Sequence, residues 1–216
     1  MDGLSVATPS PPLPFPDFNT TTLPSGTRLV RVHDPRFDGA ACNPCLGEPS
    51  RFAPLRTPSG DCLPTLYAAA SFECAVHESI FHPLPFDAPD KFIRRAKVTS
   101  RAVSWIETRV DLTLAALHEP DLNRLGRTRA ELIDTPTSGY ATTARRAEAF
   151  HRADRHVAGL VWTSRRCDPD RAYVFFEDRL PPGALVVRER ILLATSADHL
   201  TEVRNFGRRA NITISL

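Results

Sequence analysis

Proline restricts this chain more than any other residue type. Twenty of its 216 residues are proline, gathered near the N-terminus and again around residues 35 to 64. Proline fixes φ and offers no N–H to a helix or a sheet ladder, so both stretches must run extended or looped. Residues 1–25, MDGLSVATPSPPLPFPDFNTTTLPS, read as a proline-rich arm, wrapped on the domain or disordered, and 26–216 as one folded domain. The second stretch, Asp34 to Pro64, reads as a long irregular loop. Such a loop inside a compact domain is uncommon unless it carries function or moves.

Regular structure is left to the rest. Period-two patterns predict strands at 28–33 (RLVRVH), 65–69 (TLYAA), 91–99 (KFIRRAKVT) and 102–112 (AVSWIETRVDL). Further strands are predicted at 159–164, 172–177, 186–194 and 211–216, and helices at about 71–82, 142–155 and 198–210. Residues 112–135 read as mixed, with short helical turns. Helices and strands alternate without βαβ spacing, which predicts α+β and not a doubly wound sheet.

Composition narrows the function. A net charge of +2 and a pI near 8.4 argue against a nucleic-acid footprint. No run is long enough for a membrane span, and the first 25 residues lack the basic start and apolar core of a secretory signal. Five cysteines, an odd count without framework spacing, fit a reducing cytoplasm.

The stretch LYAAASFECAVHES, residues 66–79, poses a local problem. With Ser71 as N-cap and steps of about 100°, Glu73 and His77 fall about 40° apart, as a solvated wedge. Phe72, Val76 and Ile80 form an apolar stripe. Glu78 joins neither, lying in small or apolar surroundings where a carboxylate needs a partner or a task.

Several motifs fail. In HESIFH the two histidines are five apart, about 140° around a helix, so they cannot face one zinc ion as the zinc-protease signature requires. CNPC, 42–45, is a bare C-x-x-C in a proline-rich loop, with Cys62 and Cys74 each isolated. No metal site is expected. Ser164 is not in a G-x-S-x-G elbow, and no nucleotide-binding glycine motif is present.

What remains is dispersed: Arg31, Arg51, Tyr67, Glu78 and Ser164. Their order, in GTRLVRVH, NPCLGEPSRFAP, LPTLYAAASFECAVHESIFH, AGLVWTSRR and AYVFFEDR, resembles the RES-domain family, from about Gly26 to the end. That resemblance implies an ADP-ribosyltransferase-like sheet flanked by helices. It also implies a cytoplasmic bacterial toxin that degrades NAD, releasing nicotinamide by hydrolysis or by phosphorolysis with phosphate as co-substrate. NAD is then a substrate and no cofactor is required. The implied partner is an Xre-type antitoxin, to which any DNA binding would belong.

Carried over by position, the resemblance makes Glu78, Arg31 and Ser164 catalytic and assigns NAD binding to Arg51 and Tyr67. Glu78 would stabilise positive charge on the ribose, and the arginines would match the diphosphate. Tyr67 would stack on nicotinamide or wall the pocket, Ser164 would hydrogen-bond the amide or ribose, and the 34–64 loop would cover the pocket. Around Arg51 the chain reads SRFAP where GRWN is commoner, and Ser164 precedes arginine in TSRR instead of lying in a proline-serine segment. Two other readings carry their own expectations: a mono-ADP-ribosyltransferase acting on a protein, against which no E-x-E or Q-x-E pair is found, and a non-catalytic binding module.

Overall fold

Continuous apolar strands need cover on both faces, and that need sets the architecture. The computed structural model describes residues 15–85 and 88–215. The first elements are β1 (Thr20–Leu23), β2 (Arg28–His33), β3 (Leu55–Arg56), β4 (Cys62–Leu63), β5 (Thr65–Ala69) and α1 (Phe72–His77). Then come β6 (Lys91–Arg94), α2 (Arg95–Thr99), β7 (Ala102–Thr108), β8 (Leu112–Ala116), α3 (Glu119–Arg124), α4 (Arg129–Leu132) and α5 (Tyr140–Ala153). The last are β9 (Gly159–Thr163), β10 (Arg171–Phe176), β11 (Leu185–Leu192), α6 (Ala197–Arg209) and β12 (Ile212–Ser215). The α+β expectation holds.

Eight strands form one sheet in the order β1-β8-β9-β10-β5-β2-β7-β11, antiparallel throughout except between β8 and β9. β10 shows why both faces are covered. Ala172, Val174 and Phe176 pack toward α3, α4 and α5, while Tyr173 and Phe175 enter a different core. That second core joins Leu29 and Ile106 of β2 and β7 to Leu114 and Val161 of β8 and β9, so the sheet curls around it. A third core packs α1 and α6 against Val30 and Val103 of β2 and β7. Gly159 is required at the parallel junction, because a Cβ there would lie 2.1 Å from the Val174 carbonyl oxygen.

One pairing is incomplete. β2 and β5 register through Val30 and Ala69 alone. Beyond that pair the strands part, and the split becomes the cavity described below.

The structure departs from the sequence reading in several places. The described part of the arm lies on the domain, as one of its two readings had it, and adds a strand to the sheet: β1 pairs with β8, and the Phe15 and Phe18 rings each meet Phe150 edge-on at 5.0 Å. Residues 1–14 of that arm lie outside the described residues. The 91–99 strand holds only to Arg94, where pairing with β12 ends, and continues as α2. Residues 112–116, read as mixed, are a sheet strand. The 34–64 loop contains the β3–β4 hairpin and seats Phe52 and Leu55 at 0% exposure. Cys62 is not isolated, because this hairpin brings it to Cys45, with which it forms a disulfide across a Cα–Cα distance of 6.1 Å.

α1 is shorter than predicted. Ser71 caps it as expected, accepting from the Cys74 N–H at 3.1 Å. It stops at His77 because the Ser79 hydroxyl takes the Ala75 carbonyl at 2.5 Å, while the Ser79 N–H turns to Val76. The chain then folds back, and Phe81 packs edge-on against His77 at 5.1 Å. His77 is therefore buried and not part of a wet face. Glu73 does face outward, paired with Arg209 at 2.8 Å.

Burial, with Arg166 and Arg209 adding to it, pushes the His77 pKa down to about 4. Between that value and the ordinary pKa near 6.5, the unfolded chain binds a proton that the folded chain refuses. Stability should fall as pH drops through this window. Urea midpoints measured from pH 7 to 4 should decline less steeply in His77→Gln, and identical slopes would refute the assignment.

Candidate active site

The cavity in the β2–β5 split has a volume of about 220 Å³. Arg31 of β2, Tyr67 of β5, Glu78 at the end of α1 and Arg51 of the 34–64 loop all line it. Four of the five residues picked out by sequence therefore meet, from four separate segments. A larger cavity of about 550 Å³ adjoins it, sharing Arg31, Ser50 and Tyr67 among its walls.

Ser164 is absent from the lining and fully buried. Its hydroxyl donates to Glu78 Oε1 at 2.5 Å and accepts the N–H groups of Arg166 at 3.1 Å and Cys167 at 3.0 Å. A serine hydroxyl has one proton and two lone pairs, so this one is fully engaged. It orients the carboxylate and has nothing left for a ligand. The bond engages Oε1 and leaves Oε2 toward other partners.

The arginines are held differently. Arg31 Nη1 donates to the carbonyls of Gly39 at 2.9 Å and Ala41 at 2.5 Å, which ties the 34–64 loop to β2. Burial lowers its pKa, partly opposed by Cys42 and Asp38, yet a guanidinium stays charged at neutral pH. Arg51 is buried, donates from Nε to the Ile133 carbonyl at 2.8 Å and lies over the Tyr140 ring at 5.7 Å. Its Nη2 has no hydrogen-bond partner among the described residues, and neither has Nε1 of Trp162, another lining residue. Buried donors of this kind are rare and call for an acceptor.

Tyr67 does more than wall the cavity. Its hydroxyl accepts the Phe52 N–H at 2.8 Å and lies 3.2 Å from Ser50 Oγ, fixing the loop beside Arg51. Burial pushes its pKa up to about 12, so it remains a phenol.

Comparison with known proteins now bears on this arrangement. The family model of the RES domain matches residues 28–201, most of the chain. The chain belongs to the RES-domain family. The RES domain is also similar in fold to a chain in the crystal structure of the M. tuberculosis MbcT–MbcA toxin–antitoxin complex. The two share 17% identity at a TM-score of 0.57, over 85% of this chain and 92% of that one. No curated protein matches the sequence significantly.

Sequence reasoning passed over His82 of this RES domain. Its Nε2 lies 3.1 Å from the Tyr140 hydroxyl, and its ring helps line the cavity. Burial first, then Arg166, Arg51 and Arg165, lower its pKa to about 4, so it is a neutral imidazole. A histidine four residues after Glu78, at a turn, was a usable signal.

Removing the Ser164 hydroxyl should free Glu78 and strand two backbone N–H groups. Ser164→Ala is expected to cost about 1–3 kcal/mol of stability, the cost of a buried unsatisfied group. Chemical denaturation checks this, and an unchanged midpoint would show that the serine is not so engaged.

Proposed function

We propose that this RES domain cleaves the nicotinamide–ribose bond of NAD and is the toxin of a toxin–antitoxin pair. The observation carrying the reading is the Glu78 carboxylate, oriented by Ser164 beside a cavity whose other charged lining residues are Arg31 and Arg51. When the bond breaks, its electron pair leaves with nicotinamide, and positive charge develops on the ribose. A carboxylate about 4 Å away, at an effective dielectric near 20, stabilises that charge by about 4 kcal/mol. If the ground state gains less, this amounts to about a thousandfold in rate. Water or phosphate then adds to the sugar carbon.

The remaining groups suit the rest of the dinucleotide. The orphan donors Arg51 Nη2 and Trp162 Nε1 offer an acceptor-bearing ligand two hydrogen bonds. Arg31, at the junction of both cavities, supports a diphosphate there, and the larger cavity has room for an adenosine half. The MbcT–MbcA likeness supports a dedicated protein partner, and the RES resemblance supports an antitoxin of the Xre type.

Incubating the folded protein with NAD, with and without phosphate, tests the reading through nicotinamide release. Free ADP-ribose marks hydrolysis, and its 1-phosphate marks phosphorolysis. ADP-ribose attached to a protein, with little free product, would favour a transferase instead. No release in either buffer would overturn NAD cleavage.

A further inference from the structure

On the far side of the Glu78–Ser164 pair, three metal-ligating groups converge that the cavity does not use. Cys74 of α1, Cys167 of the 164–170 loop and Asp170 just before β10 place their ligand atoms within 4.8 Å of one another. Cys74 is fully buried, whereas Cys167 and Asp170 are half-buried, so an ion could reach the group from solvent. None of the three lines the cavity. Their spacing, two residues in one loop and one about ninety positions earlier, makes no linear motif, which is why the sequence gives no sign of them.

We propose that Cys74, Cys167 and Asp170 form a binding site for a thiophilic divalent ion of the zinc class, with water as fourth ligand. Two sulfurs and one carboxylate oxygen are a donor set that zinc accepts and that magnesium or calcium does not favour. Tetrahedral zinc with Zn–S bonds of about 2.3 Å holds its sulfurs about 3.8 Å apart, a spacing that falls within the 4.8 Å over which the three ligand atoms lie. The carboxylate is also already aligned. Ser71 Oγ donates to Asp170 Oδ2 and accepts the Cys74 N–H, an outer partner of the sort that orients metal ligands. A pair of thiols alone would explain neither the third donor nor its support. On binding, each thiol gives its proton to solvent and each thiolate bonds the ion, with no change of oxidation state.

The site is wired to the cavity through the backbone. The Cys74 carbonyl accepts the Glu78 N–H at 2.8 Å, and the Cys167 N–H donates to Ser164 Oγ at 3.0 Å. Ser164 N–H in turn donates to the Asp170 carbonyl at 2.8 Å. An ion joining Cys74 to Cys167 and Asp170 therefore clamps α1 to the loop that carries Ser164, and so fixes the carboxylate from behind.

The test is cobalt titration of the full chain, kept anaerobic in a phosphine reductant, with zinc as competitor. One equivalent of cobalt should produce a thiolate-to-metal charge-transfer band that zinc abolishes. Cys167→Ala, at a half-buried position, and Asp170→Asn, each checked for fold by circular dichroism, should bind more weakly by at least the roughly 10- to 100-fold that loss of an outer partner costs. Cys42→Ser, which alters a free cysteine outside the group, should bind like the wild type. A wild-type chain without the band, or a band unchanged in Cys167→Ala, would overturn the proposal. So would a Cys74–Cys167 disulfide that persists in reductant and excludes cobalt.

Discussion

Glu78→Gln should release nicotinamide from NAD about a thousandfold more slowly than the wild type while remaining folded. The substitution keeps the size of the side chain, and the amide oxygen can still accept from the Ser164 hydroxyl that now binds Oε1. Only the negative charge is lost. Because that charge matters most when the ribose becomes positive, the loss should fall on kcat with KM little altered. Initial rates at several NAD concentrations measure this, with circular dichroism confirming the fold. Activity within about tenfold of wild type would remove Glu78 from the chemistry. If the wild type is toxic to cells, a folded Glu78 variant equally toxic would instead favour the non-catalytic binding module.

The second large effect concerns the loop that carries Arg51. Phe52 is 0% exposed and meets Trp162 edge-on at 5.1 Å, so it anchors residues 34–64 in the core beneath the sheet. Truncating it to alanine should cost about 3–5 kcal/mol, through lost burial and the void left behind. For a chain of this length that lowers Tm by roughly 6–20 °C. Phe37 lies in the same loop at 41% exposure, and Phe37→Ala should change stability by no more than about 0.5 kcal/mol. Thermal unfolding of the two variants side by side decides the matter. Equal, small effects would mean that the loop is laid on the domain and not built into it.

What could be read from sequence followed from local signals. The predicted ranges of β2 and β5 match the observed strands end to end, and those of α5 and α6 are displaced by two residues or fewer. Each has a strong period or a clear breaker beside it. β8 was not recognised because LTLAA owes its strand state to partners far along the chain, β1 before it and β9 after it. KFIRRAKVT was half right, since its pairing with the distant β12 ends at Arg94 and helix formers take over. His77 obeyed the helical geometry, but a fold-back through Ser79 and Phe81 covered it, and no helical wheel contains that information.

The candidate site shows the same division. Glu78 was singled out by position alone, as a carboxylate outside the polar wedge, and the structure supplies its partner in Ser164. The family pattern brought Arg31, Arg51 and Tyr67 to notice, and they line one cavity. That Ser164 acts on the carboxylate and has no free valence for a ligand follows only from its three hydrogen bonds. Tyr67 lines the cavity, and its hydroxyl also holds the loop, a second task that no sequence signal announced.

The strand order also governs when the site can exist. β5 lies against β10, whose residues come about a hundred positions later, and Glu78 waits 86 residues for Ser164. A ribosome adding about 5–20 residues per second therefore exposes Arg31, Tyr67 and Glu78 seconds before β9 and β10 emerge to assemble around them. Until then the carboxylate has no orienting hydroxyl and the cavity lacks its Trp162 wall. A chain cut short before Ser164 lacks the pair altogether, and one cut before β10 lacks the strand against which β5 is laid.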